Sequence, residues 1–207
     1  MNKQNIPESE SRFFVAPITV EKREEGDAKN PSIIEGTVAL FNKRTKIGGW
    51  FYEEILPGAF DDVLNDDVRC LLNHNPNHIL GRTASGTLEI WVDDTGLKYR
   101  YTTPNRSYAL DLEDAIIAGD VSESSFQFKV KEVIWIEQDD DLDILQIKKF
   151  DKLYDVAPVT FPAYQDTSVA KRSFDSQKES QNSIKTRKTV REAQLIINNN
   201  KFKHEEV

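Results

Sequence analysis

Two adjacent serines, Ser124 and Ser125, stand directly before Phe126, Gln127 and Phe128 in the stretch AIIAGDVSESSFQF. A hydroxyl fixed on a strand can attack an acyl carbon if a base takes its proton and a third group orients that base. Successive side chains of a strand point to opposite faces. Phe126, Phe128 and Val130 therefore share a core face with Ser124, and Ser125 points the other way with Gln127 and Lys129, toward solvent or a cleft. This alternation favours Ser125 as the nucleophile, carried on a strand backed by buried phenylalanines. Taken alone, the pair also fits a polar strand surface.

A base must come from three histidines, His74, His78 and His204. His204 lies in a polar tail. His74 and His78 form H-x-x-x-H, a spacing that binds zinc when a helix puts both rings on one face. Pro76 stands between them and opposes a helix interior at a cost of about 3 kcal/mol. A lone cysteine, Cys70, excludes an intrachain disulfide and a four-cysteine zinc site. As a nucleophile for His74 it is too far along a strand, about 13 Å at 3.3 Å per residue. It reads as a small buried apolar residue. The acidic run Glu137 to Asp143, EQDDDLD, lacks the glycine and final glutamate of a calcium loop and reads as a solvated hairpin tip.

The elements that must position these groups are mostly short strands. Phe13 to Val20, Ile33 to Phe41, Trp50 to Leu56, Val68 to His74, Ile144 to Ile147 and Leu153 to Phe161 are apolar and β-rich. Within the second, Gly36 marks a bulge or a close backbone approach. Within the fourth, Val68, Cys70, Leu72 and His74 alternate onto one face. Thr87 to Val92 and Leu97 to Thr102 flank Asp93-Asp94-Thr95-Gly96, a hairpin signal. Pro57 to Leu64 predicts a short helix with Phe60, Val63 and Leu64 on one side. Asn105 to Ala118 predicts the best helix, ended by Gly119. Thr189 to Asn198 predicts a third. Eight or nine strands with two or three helices imply an α+β chain, mainly antiparallel β, as a closed or nearly closed barrel with helices packed around it.

Length and charge limit the function. At 207 residues with net charge −8, the chain suits one domain with a real core. No run reaches the roughly 18–20 apolar residues that span a bilayer. MNKQNIPESESR has no apolar core and is not a secretory signal. With a single cysteine and so no intrachain disulfide, a reducing, cytoplasmic setting is the default. The charge is uneven: residues 171–207 carry +4 and the rest −12. A basic tail on an acidic body can bind an acidic partner, nucleic acid or its own body, or simply be solvated and disordered.

With these segments placed, the chain resembles the prohead maturation proteases of tailed bacteriophages, serine peptidases similar in fold to the herpesvirus maturation protease. The pieces that carry the resemblance come in order: Ile34-Glu35-Gly36 with Ala39 to Asn42, Glu54 to Phe60, Leu72-Asn73-His74-Asn75, Leu80-Gly81-Arg82, Gly86-Thr87-Leu88, Ser125 to Phe128, and Leu153 to Tyr164. They cover about residues 33–172.

The resemblance implies Ser125 as nucleophile, His74 as general base and Asp155 as the orienting acid, where the family usually has a glutamate. Ala157, Pro158 and Asn75 also depart from its usual residues. Arg82 and the backbone around Gly81 are the candidate oxyanion donors. No cofactor and no metal are implied. The substrate would be a scaffold protein, or a scaffold segment of the major capsid protein, cut in the host cytoplasm inside the assembling prohead, together with the chain itself. No membrane and no specific nucleic acid are expected as partners. Herpesvirus relatives suggest a homo-dimer or higher oligomer as a switch. The expected layout is a flexible leader over 1–28, a protease domain over 29–172, and a basic tail over 173–207 that is cleaved or binds scaffold. The competing reading is a non-enzymatic or inactive assembly protein of the same fold, which binds scaffold or capsid.

Overall fold

The computed structural model describes residues 10–14, 18–21, 32–161 and positions 174, 175 and 179. Its strands are β1 (Glu10–Phe14), β2 (Ile18–Glu21), β3 (Ile33–Leu40), β4 (Thr45–Ile47), β5 (Phe51–Ile55), β6 (Arg69–Leu71), β7 (Ile79–Arg82), β8 (Leu88–Val92), β9 (Gly96–Thr102), β10 (Glu123–Ile136) and β11 (Asp143–Val159). One α-helix lies within residues 32–161, α1 (Ser107–Ala118). Gly119 closes it in the left-handed conformation at φ 85°, and its N–H caps the carbonyls of Ala115 and Ile116, as a C-terminal glycine can without a Cβ clash.

Two sheets replace the expected barrel. The larger runs β1-β10-β11-β5-β4, with β6 on β11 and β7 on β6; the smaller runs β2-β3-β9-β8. The barrel fails to close because β11 is 17 residues long and changes partner along one edge. Its first part pairs with β5 and its last part with β6, both in parallel. The sheet therefore branches. The pairing is mainly antiparallel, as expected, with β11 parallel to β5 and to β6.

The sheets close over one core. Ile34, Leu97 and Tyr99 of the smaller sheet meet Phe126, Phe128, Phe150 and Val156 of the larger, with Leu112 and Ile116 of α1 at the side. Phe60, Phe126, Phe128 and Phe150 stack or meet edge to face at centroid distances of 4.5–5.9 Å, separations typical of favourable ring pairs. A smaller cluster of Ile47, Phe51 and Leu145 receives Trp135 and Phe174 at the far end of the β10–β11 hairpin.

Several expected elements change form. Pro57 to Leu64 is not a helix but successive turns closed by three-residue bonds, Ala59 N–H to Leu56 C=O and Val63 N–H to Phe60 C=O among them. Gly58 is left-handed there at φ 83°, which breaks helical dihedrals, yet Phe60 and Val63 are still buried. The two strands expected on either side of residues 148–152 are one strand. Pro158 fits within it because β6 pairs only with Asp155 and Val156, which leaves that edge free of a partner needing an N–H. The expected first strand is split into β1 and β2, both within the residues 1–28 expected as a leader. The helix expected over 189–198 lies outside the described residues. The hairpin is as expected, with Asp93 Oδ1 accepting from Thr95 N–H and Gly96 N–H, and residues 137–142 form the exposed tip between β10 and β11.

Gly36 is a point of close approach. It pairs with Tyr99, and a Cβ there would lie 2.5 Å from the Tyr99 ring. Overpacking of this kind costs about 1–3 kcal/mol. Gly36→Ala should lower the unfolding free energy by that amount, seen as a lower urea midpoint with an unchanged slope; an unchanged midpoint would mean that the Tyr99 ring has room to move.

Candidate active site

The β10–β11 ladder sets the site. Ser125 lies opposite Ala157, and Gln127 opposite Asp155. Alternation then puts Ser125, Gln127, Asp155 and Ala157 on one face. Ser125 and Asp155 are diagonal neighbours on adjacent strands, and Ala157 leaves the space between them open to a third group.

That group is the His74 imidazole. Its Nε2 lies 2.6 Å from Ser125 Oγ and its Nδ1 lies 2.5 Å from Asp155 Oδ1. An ionised carboxylate can only accept. The ring hydrogen therefore sits on Nδ1 and is donated to Asp155, which leaves Nε2 to accept from the Ser125 hydroxyl. The aspartate is long enough to reach the ring despite being one methylene shorter than glutamate. The sequence places all three residues as candidates, and the structure brings all three together.

His74 does not reach this place as a strand residue. The strand ends at Leu71, and Leu72–His74 is a tight turn. Asn73 and His74 are both left-handed, at φ 53° and 57°, so the expected alternation of His74 with Cys70 fails. Left-handed backbone costs about 1–2 kcal/mol per residue for most side chains, less for asparagine. The turn is held from both sides. Leu72 N–H donates to His78 C=O and Asn75 N–H to Leu72 C=O. Across the fold, Thr160 N–H donates to Asn73 Oδ1 at 2.8 Å, and Asn73 Nδ2 donates to Thr160 Oγ1 at 3.2 Å. Thr160 directly follows β11, the strand that carries Asp155. His74 and Asp155 are thereby tied to one element. Sequence reasoning assigned Asn73 no role; its signal was an asparagine, tolerant of left-handed backbone, directly before the histidine.

The other candidates separate cleanly. Ser124 faces the core and shares a hydrogen bond with Tyr99 Oη at 3.0 Å. Burial pushes the Cys70 thiol well above its ordinary value, with the Asp155 charge adding to this. Cys70 is thus a core residue and no thiolate. His78 packs its ring 4.7 Å from that of Tyr108. His204 lies outside the described residues. Arg82 holds Asp67 through both Nε and Nη2 at 2.8 and 2.6 Å, and its backbone N–H donates to Thr87 Oγ1. The Arg82 hydrogen bond lowers the Asp67 carboxyl to about 2. A cleft of about 800 Å³ is lined by Leu80, Gly81, Arg82, Thr87 and Tyr101, but by none of the three residues of the Ser–His–Asp line.

One expectation is corrected. Ser125 is not exposed: its relative accessibility is 0%, and Asp155 is 5% exposed. Strand alternation gives the face of a side chain but not what covers that face.

The profile of the family described as Caudovirus prohead serine protease matches residues 17–181. No curated protein matches. Among solved structures, that of the bacteriophage T4 capsid assembly protease, gp21, aligns with a TM-score of 0.49 and 17% identity, over 75% of this chain and 100% of that one.

The clamp on His74 can be separated from its backbone cost. Asn73→Gly removes the two side-chain bonds while keeping left-handed backbone cheap; Asn73→Ala loses both. Denaturation should place the alanine variant about 1 kcal/mol below the glycine variant. Equal stabilities would mean that the turn relaxes to ordinary dihedrals.

Proposed function

The chain belongs to the Caudovirus prohead serine protease family, and on that premise we propose that it is a serine endopeptidase with Ser125 as nucleophile, His74 as general base and Asp155 as the residue that orients the imidazole. The observation that carries this reading is the unbroken line from Ser125 Oγ through both ring nitrogens of His74 to Asp155 Oδ1. Base and nucleophile are already within the range that proton transfer requires.

In this scheme His74 Nε2 takes the Ser125 proton as Oγ attacks the peptide carbonyl. The imidazolium that forms is stabilised by Asp155. His74 then returns the proton to the leaving amine. The acyl-enzyme is hydrolysed by a water that His74 activates in the same way. The phenylalanines behind β10 keep the strand from yielding, which holds Oγ in place.

The proposed substrate is a scaffold protein or the scaffold segment of a capsid protein, cut inside the assembling prohead in the host cytoplasm, and the chain also cuts itself within residues 173–207. Those residues are polar and basic. No helix of the described residues is long and apolar enough to cross a membrane. A non-enzymatic assembly module would have no use for a buried Ser–His–carboxylate line held by a left-handed turn.

The test is intact-mass analysis of the full chain incubated at high concentration, alone and with purified scaffold. Ser125→Ala should leave both intact, where the wild-type chain shortens itself and the scaffold. Asp155→Asn should slow cutting by about 10²–10⁴-fold, because it disturbs the ring tautomer. Equal shortening by the wild-type and alanine chains would remove Ser125 from the chemistry.

A further inference from the structure

Ser125 has no accessible surface, yet acyl transfer needs a carbonyl carbon about 3–3.5 Å from the attacking atom. The side from which that carbon must come follows from the strand order. Asp155 belongs to β11, and the His74 ring joins it to Ser125. One flank of the nucleophile is therefore filled by its own base. The other flank of β10 faces away from β11, and there β1 runs antiparallel along it. Phe13 of β1 lies opposite Ser125, Phe14 opposite Ser124 and Ser11 opposite Gln127.

A strand at that edge is placed as a peptide substrate would have to be. Neighbouring strands lie about 4.7–4.9 Å apart, so a strand on this edge runs directly beside the residue that carries the Ser125 hydroxyl. Extended peptides bind proteins in just this manner, adding a strand to an open sheet edge through main-chain hydrogen bonds. β1 is also suited to leave. It has five residues, ends the strand order, and is paired along one edge among the described residues, whereas β11 pairs with β10 over almost its whole length. Short edge strands open at lower free energy than central ones.

We propose that the edge of β10 from Ser124 to Phe128 is the binding site for an extended substrate peptide, and that residues 10–14 of this chain occupy it as β1 until a substrate strand displaces them. This rests on the peptidase reading of Ser125. The ligand class is a backbone in extended form, and the device is an internal occupant that competes with it.

The test follows covalent labelling of Ser125 by a fluorophosphonate, read by intact mass, in the full chain. Ser11→Pro with Arg12→Pro removes ladder donors from β1. If β1 leaves the edge open in about a tenth of molecules, this variant should label about tenfold faster than wild type. A synthetic peptide of residues 8–16 should slow it again, and a scrambled peptide should not. As the converse, Ser11→Cys with Gln127→Cys places two cysteines on facing residues, within the span of a disulfide. Its oxidised form should label more slowly than its reduced form. Labelling at one rate in all these forms, with Ser125→Ala unlabelled, would overturn the occupancy and leave the nucleophile standing. No labelling of any form would remove the nucleophile reading and this inference with it.

Discussion

The register of β10 against β11 is the constraint on which the site depends. It sets Ser125 and Asp155 on the same face as diagonal neighbours, a separation that one imidazole spans with both nitrogens. A slip by one residue would turn every side chain of a strand to the opposite face. Ser124 would then meet the histidine, and Ser125 would enter the core. The register is specified from behind. Phe126 and Phe128 are fully buried against Phe60 and Phe150, and a slip would expose both. The apolar side of β10 thus fixes the geometry of its polar side.

The core reaches the site by a second route. Gly36 leaves room for the Tyr99 ring, and the Tyr99 hydroxyl bonds Ser124 directly beside Ser125. Burial pushes the Tyr99 phenol above its ordinary value, with the neighbouring Cys70 adding to this, so the phenol stays neutral and the bond is between two hydroxyls. The smaller sheet is in this way joined to β10 by a polar contact within an apolar core. Such a contact has one satisfied geometry, and it ties the placement of β9 to that of β10.

Local signals were legible where chemistry and geometry coincide within a few residues. The Asp93–Gly96 turn, the stop at Gly119, the two faces of β10 and the close approach at Gly36 all follow from single-residue properties. Ser125 is favoured by strand alternation alone, but its grouping with His74 and Asp155 was legible only through resemblance, because 51 residues separate His74 from Ser125 and 81 separate it from Asp155. No local pattern announces such a contact. The expected barrel fails for a related reason. Strand count and spacing do not show that β11 changes partner from β5 to β6 along one edge. The turn at Asn73 and His74 reads as strand in the sequence because apolar alternation continues through Leu72, while the left-handed backbone is held by Thr160, far along the chain.

An edge read through its backbone has consequences for selectivity. Main-chain hydrogen bonds accept nearly any sequence, so they discriminate by conformation more than by side chain. A folded region keeps its backbone groups paired within its own helices and sheets and offers no free strand. A segment that lacks stable structure does offer one. Under the proposed arrangement, a competitor must also replace the pairing that β1 already makes, so brief or weak encounters leave the nucleophile covered. Conformation of the target and competition at the edge then act in the same direction. Both favour long, extended, locally concentrated segments over the exposed loops of folded proteins, before any side-chain pocket contributes.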